Sequence, residues 1–207
     1  MRYLQGQFSL LDKSWQKGYS QEVKRSAIAF LILTGLFFAL CLAIPSLRTM
    51  LVEQVYGLVS GMDVTDESGA LSVGGLFVNN LEACLMIMLY GLIPYVHLPA
   101  LAMGLNAMLL GVLGAQMVAS GQSLALYFLA ILPHGIFEIP ALVLSFAMGL
   151  YLCGQLTNRI RGREGALSFW DCMEQISALC ISVVIPLLAV AATVEAYVTP
   201  TLVGLFS

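Results

Sequence analysis

The chain has 207 residues, 59% of them apolar and only 10% charged, with a mean hydropathy of +0.90. A soluble domain averages about 45–50% apolar and about 25% charged residues, and a chain of this size cannot hide so much apolar side chain from water; this is an integral membrane protein. Nine Lys and Arg against twelve Asp and Glu leave a net charge of −3, which excludes the basic field that nucleic-acid binding needs.

Five cysteines are present, and Cys41, Cys84, Cys153 and Cys180 lie inside apolar runs, with Cys172 beside a charged stretch. Buried free thiols are expected rather than a disulfide framework. The first 25 residues carry Arg2, Lys13, Lys17, Lys24 and Arg25 without a continuous apolar stretch. They do not read as a cleaved targeting peptide. Leu4, Phe8, Leu11 and Trp15 are spaced for one helix face, so residues 1–25 are expected to form a cytoplasmic amphipathic segment, with Trp15 and Tyr19 at headgroup depth, or else a partly ordered tail.

Residues 26–207 are expected to form a transmembrane bundle. Ser26 to Pro45 is an apolar run of about twenty residues, enough to cross about 30 Å of hydrocarbon. A hydrophilic stretch at 46–75, with Glu53, Asp63, Asp66 and Glu67 against Arg48, is expected as an extracytoplasmic loop. Span two is expected from Leu76 to Tyr95 and span three from Leu98 to Ala119, joined by a Pro94–Pro99 turn too short for a domain.

Leu124 to Gln155 stays apolar for about 48 Å as one helix, half again the hydrocarbon thickness. Pro133 and Pro140 within it predict a half-helix over Leu124–Gly135, broken by proline or re-entrant, and then span four from His134 to Cys153. The loop at 156–175 carries Arg159, Arg161 and Arg163 and is expected in the cytoplasm. The last span is expected from Ile176 to Leu202 with a kink at Pro186. The fold class is all-α, a polytopic bundle of about five spans plus the half-helix. The distribution of basic residues predicts a cytoplasmic N-terminus in the cell membrane, with the C-terminus outside.

Polar side chains within apolar runs mark sites, because lipid makes them costly. They are Asn79, Asn80, Glu82, Asn106, His134, Glu138 and Glu195. Under the expected topology Glu82, Glu138 and Glu195 share the outer half of the membrane, with Asn79 and His134 one turn from Glu82 and Glu138. Neighbouring carboxylates away from water hold a proton or a cation between them. Three readings follow: interhelical clasps, a binding or translocation site for a proton, cation or lipid headgroup, and an intramembrane metal-dependent hydrolase. Metal support is weak, because His134-Gly-Ile-Phe-Glu138 is not the H-E-x-x-H pattern, and no metal or cofactor is expected.

Small residues recur at four-residue steps: Ala141, Ser145 and Gly149 in span four, Ala100 with Gly104, and Ala107 with Gly111 and Ala115 in span three. Such spacing lets helix backbones approach closely, within one bundle or across a homo-oligomer seam.

Asn79-Asn80-Leu-Glu82, Gly104-Leu-Asn106 with Gly111, Pro133-His134-Gly-Ile-Phe-Glu138-Ile-Pro140-Ala141 and Glu195-Ala-Tyr-Val-Thr199-Pro200 resemble, in order, the stage II sporulation protein M family. The resemblance adds Thr199 to the polar cluster. It implies a multi-span protein without established enzymatic chemistry; in spore formers it implies a scaffold for peptidoglycan-remodelling enzymes at engulfment. On that footing the chain is expected to be a noncatalytic scaffold partnered by the bilayer and by membrane or extracytoplasmic proteins. The alternative is a transporter or lipid- or ion-translocating protein that uses the Glu/His/Asn cluster.

Overall fold

A computed structural model describes residue 12 and residues 15–59 and 71–204. Leu4, Phe8 and Leu11, on which the amphipathic face was argued, lie outside the described residues. The described residues form the helices α1 (Ser20–Ala43), α2 (Pro45–Val59), α3 (Val73–Tyr90), α4 (Leu98–Ala119), α5 (Leu124–Ile160) and α6 (Phe169–Leu202). All except α2 are long and apolar enough to cross a membrane, and no strand occurs among the described residues. The chain is an all-α polytopic bundle with five candidate spans.

Several boundaries differ from those expected, each for a physical reason. The half-helix and span four are one continuous helix of 37 residues with Pro133 and Pro140 inside it. Proline forfeits one backbone hydrogen bond, a loss that a transmembrane helix tolerates without ending. The stretch at 46–75 is not all loop, because α2 occupies Pro45–Val59. Cys41, Val55, Val112 and Ala115 form a small core that seats α2 on α1 and α4. The expected loop at 156–175 contracts, since α5 runs to Ile160 and α6 starts at Phe169. Ser168 begins α6 with a reciprocal cap: its Oγ accepts from Asp171 N–H at 3.2 Å and its N–H donates to Asp171 Oδ2 at 2.7 Å. This satisfies two of the N–H groups that every helix start leaves open.

The approach to α1 bends at Gly18, whose φ of 110° ends any helix there. Tyr19 packs into the bundle. It is 2% exposed, and its hydroxyl donates to the Leu144 carbonyl at 2.9 Å.

The middle of α5 is the core of the molecule. It packs on α1, α3, α4 and α6, and Ala141, Ser145 and Gly149 are all buried. Phe146 is fully buried, its ring 5.9 Å from that of Phe30 on α1. A Cβ added at Gly149 would stand 2.6 Å from the Ile87 carbonyl oxygen and 2.7 Å from Pro99 Cγ. From the other side, a Cβ at Gly91 would run into the Gly149 backbone. Gly111 does the same work on α4, where a Cβ would come 2.6 Å from the Thr34 carbonyl oxygen of α1. Gly104, expected to share this role, faces open space. Ser145 Oγ donates to the Ala141 carbonyl at 2.8 Å, so its hydroxyl is satisfied within its own helix. All five cysteines are free and buried.

The turn between α3 and α4 is held to the far end of α5. Tyr95 and His97 have φ of 69° and 50°, a left-handed conformation that costs non-glycine residues about 1–2 kcal/mol each. The offsetting contacts are a hydrogen bond from Tyr95 N–H to Thr157 Oγ1 at 3.0 Å and the Arg161 guanidinium 5.4 Å from the Tyr95 ring centre. Thr157→Val keeps the shape and removes the acceptor. It is expected to lower stability by about 1–2 kcal/mol, read as a lower Tm of the purified protein. An unchanged Tm would show that the turn holds itself.

Two widened turns interrupt α6, at Cys180–Val184 and Val194–Val198. Each begins six residues before a proline, Pro186 and Pro200. A proline ring presses on the carbonyl four residues back. Letting the preceding N–H reach one residue further, as Ile185 N–H does to the Cys180 carbonyl and Thr199 N–H to the Val194 carbonyl, relieves that pressure without ending the helix. The kink expected at Pro186 takes this form.

Candidate functional site

Helix α5 sets His134 and Glu138 one turn apart on one face, and α6 does the same for Glu195 and Thr199. The short connection between the two helices turns α6 back along α5, and all four residues lie far from it, so they meet at the distant end of the pair. His134, Glu138 and Glu195 each offer a ligand atom, and these atoms lie within 4.8 Å of one another. His134 Nε2 is 4.0 Å from Glu138 Oε2. On the other edge of the ring, Nδ1 lies 3.3 Å from Thr199 Oγ1, and that hydroxyl donates to the Val194 carbonyl at 3.4 Å. The side chains of His134 and Glu138 are 14% and 22% exposed, and Glu195 and Thr199 are half-buried. A nitrogen and two carboxylates from two helices therefore surround one small space with limited access to water. Such a set can share a proton, hold a cation, or tie the helices together.

Among the other expected members, Glu82 stands outside this group: it is exposed on α3 and is not among the three side chains that meet. Asn79 and Asn80 are half-buried on α3. Asn106 donates through Nδ2 to the Ala102 carbonyl of its own helix at 2.9 Å. His97 lies beside the Tyr95 turn, its Nδ1 3.1 Å from the Tyr95 carbonyl oxygen. It is far from His134, because that turn is held by Thr157 at the other end of α5.

The Val194 carbonyl was missed from sequence, although it receives both the N–H and the hydroxyl of Thr199. Pro200 was the available signal, since proline there forces the widened turn that brings the carbonyl into place. Such turns are found often at functional sites.

A family model described as Stage II sporulation protein M matches residues 27–200. A protein of Methanocaldococcus jannaschii, described as uncharacterized protein MJ0793, is 30% identical over 126 residues, covering 60% of this chain and 69% of that one. No solved structure matches. The matched region runs from the second turn of α1 to Pro200 and so contains the whole bundle and the His134, Glu138, Glu195 and Thr199 group: the chain belongs to the stage II sporulation protein M family.

Proposed function

We propose that this multi-pass membrane protein is a noncatalytic scaffold in the cell membrane, with its N-terminus in the cytoplasm, and that α3 carries its docking face. The observation behind this reading is Glu82. It stands near the middle of the 18-residue α3, about 13 Å from either end, and it is exposed between Val78 and Met86, which are 51% and 46% exposed on the same face. A carboxylate in mid-span is costly against lipid, and in membrane proteins such groups face protein or water. A partner helix carrying a hydrogen-bond donor satisfies Glu82 and covers its apolar neighbours. The outer loop region and α2 offer further surface to extracytoplasmic proteins.

Cysteines placed at Val78 and at Met86 are expected to cross-link in native membranes to another membrane protein. Glu82→Lys is expected to reduce that complex at least tenfold without lowering the amount of folded protein. Unchanged complex formation by both Glu82→Lys and Glu82→Leu would overturn the assignment.

The meeting of His134, Glu138 and Glu195 favours translocation of a proton or cation as the second reading. Glu138→Gln and Glu195→Gln separate the two: a scaffold keeps its partner complex in both variants, whereas a conduit loses flux in proteoliposomes.

A further inference from the structure

We infer that His134, Glu138 and Glu195 form a binding site for one divalent transition-metal ion of the zinc class, with Thr199 orienting the imidazole. This goes beyond the scaffold reading, which rests on a different face of the molecule and fails or survives separately.

Thr199 Oγ1 donates to the Val194 carbonyl at 3.4 Å and lies 3.3 Å from His134 Nδ1. While the hydroxyl donates to the carbonyl its oxygen accepts from Nδ1, and in that arrangement Nδ1 carries a hydrogen. A neutral imidazole then has its lone pair on Nε2, the nitrogen that faces Glu138 Oε2 at 4.0 Å. An imidazole lone pair and two carboxylates pointing at one space repel one another unless a shared proton or a metal cation lies between them. Fixing one ring nitrogen by hydrogen bonding so that the other can bind is how proteins hold a histidine on a metal.

The donor set and its spacing point to the class of metal. One imidazole with two carboxylates suits zinc and its neighbours in the first transition row better than calcium or magnesium, which take oxygen alone. With bonds of about 2.0–2.2 Å, tetrahedral ligand atoms stand about 3.4 Å apart. The 4.8 Å spread of the three side chains closes to that value by rotation of the flexible glutamates. Three protein ligands leave the fourth position to water.

The widened turn Val194–Val198 carries Glu195 and ends at Thr199, so a single distortion of α6 supplies one ligand and the group that orients another.

The test uses the full chain, purified in detergent, stripped with chelator and titrated with zinc. One zinc per chain is expected, with a Tm that rises with zinc concentration. His134→Ala and Glu195→Gln are each expected to lower zinc affinity at least tenfold. Thr199→Val removes no ligand and is expected to weaken binding about tenfold, the effect typical of losing a metal-bound histidine's hydrogen-bond partner. If the His134 variant fails to fold, Thr199→Val and the visible spectrum of the cobalt-loaded wild-type protein decide the matter. No saturable zinc, or zinc bound equally well by Thr199→Val and Glu195→Gln, would overturn the site; a protonated His134 paired with the glutamates gives the first of these results. A lost site leaves the Glu82 cross-links unaffected.

Discussion

Gly149→Val is expected to prevent the protein from accumulating in the membrane, and Gly149→Ala to cost about 3 kcal/mol of stability. The Cβ of any other residue would stand 2.6 Å from the Ile87 carbonyl oxygen and 2.7 Å from Pro99 Cγ. Neither neighbour is the free end of a flexible side chain; one is helix backbone and the other a proline ring. Three helices converge on this point, so the strain of an added methyl cannot be relieved by a rotamer change, and overpacking of this kind costs about 1–3 kcal/mol or more. Gly104→Ala and Gly154→Ala are the controls, since a Cβ at either position meets nothing within 4 Å. There the better helix propensity of alanine predicts a gain of about 0.5–1 kcal/mol. Unfolding of the three alanine variants in mixed micelles measures the difference. Equal stability of Gly149→Ala and Gly104→Ala would remove the close approach from the account of the bundle.

Phe146→Ala has the next largest expected effect. Its side chain is fully buried against Phe30, and in a water-soluble core its truncation costs about 3–5 kcal/mol. Within a membrane the transfer part of that cost largely disappears, because lipid tails are as apolar as the protein interior. The cavity and the lost ring contacts remain, and we expect a loss of about 2 kcal/mol. Phe30→Ala should cost a similar amount. The double variant should cost less than the sum of the two, since each truncation already removes the shared contact. Strict additivity in unfolding measurements would show that the rings do not act as a pair.

The spans were legible because length and apolar composition act directly on the bilayer. Leu98–Ala119 was placed to the residue, and the ends of the others shifted by up to about three turns, most at the start of span four, which lies at Leu124 instead of His134. Helix α2 was also written in the chain: Leu47, Leu51, Val52 and Val55 recur at helical steps, but the acidic residues further along drew attention to the loop instead. Pro133 and Pro140 misled for another reason. The cost of proline in a water-exposed helix does not carry over to a transmembrane helix, which tolerates it.

The site was half legible. Spacing alone put His134 with Glu138 on one helix face, and the family resemblance added Thr199 beside Glu195. Glu82 shows where that reasoning stopped, because depth along a helix follows from counting residues, whereas rotation about its axis follows from packing. Counting said nothing of the side that Glu82 faces. The close approaches were legible in the same partial way: Gly149 and Gly104 carry the same spacing signal, but only the bundle determines which one meets a neighbouring backbone.

The length of α5 bears on the bilayer itself. Its apolar part, from Leu124 to Gln155, reaches about 48 Å, and helix tilts rarely exceed about 40°. At that angle the segment still rises about 37 Å, against hydrocarbon about 30 Å thick. Leu124, Phe128, Leu132 and Ile136 make a ridge of exposed apolar side chains along the excess. An apolar helix longer than the hydrocarbon is thick is accommodated by a kink, for which Pro133 and Pro140 lie in the right segment, or by thickening of the bilayer beside the ridge. Either response makes the bilayer's thickness a variable that the protein's energy depends on.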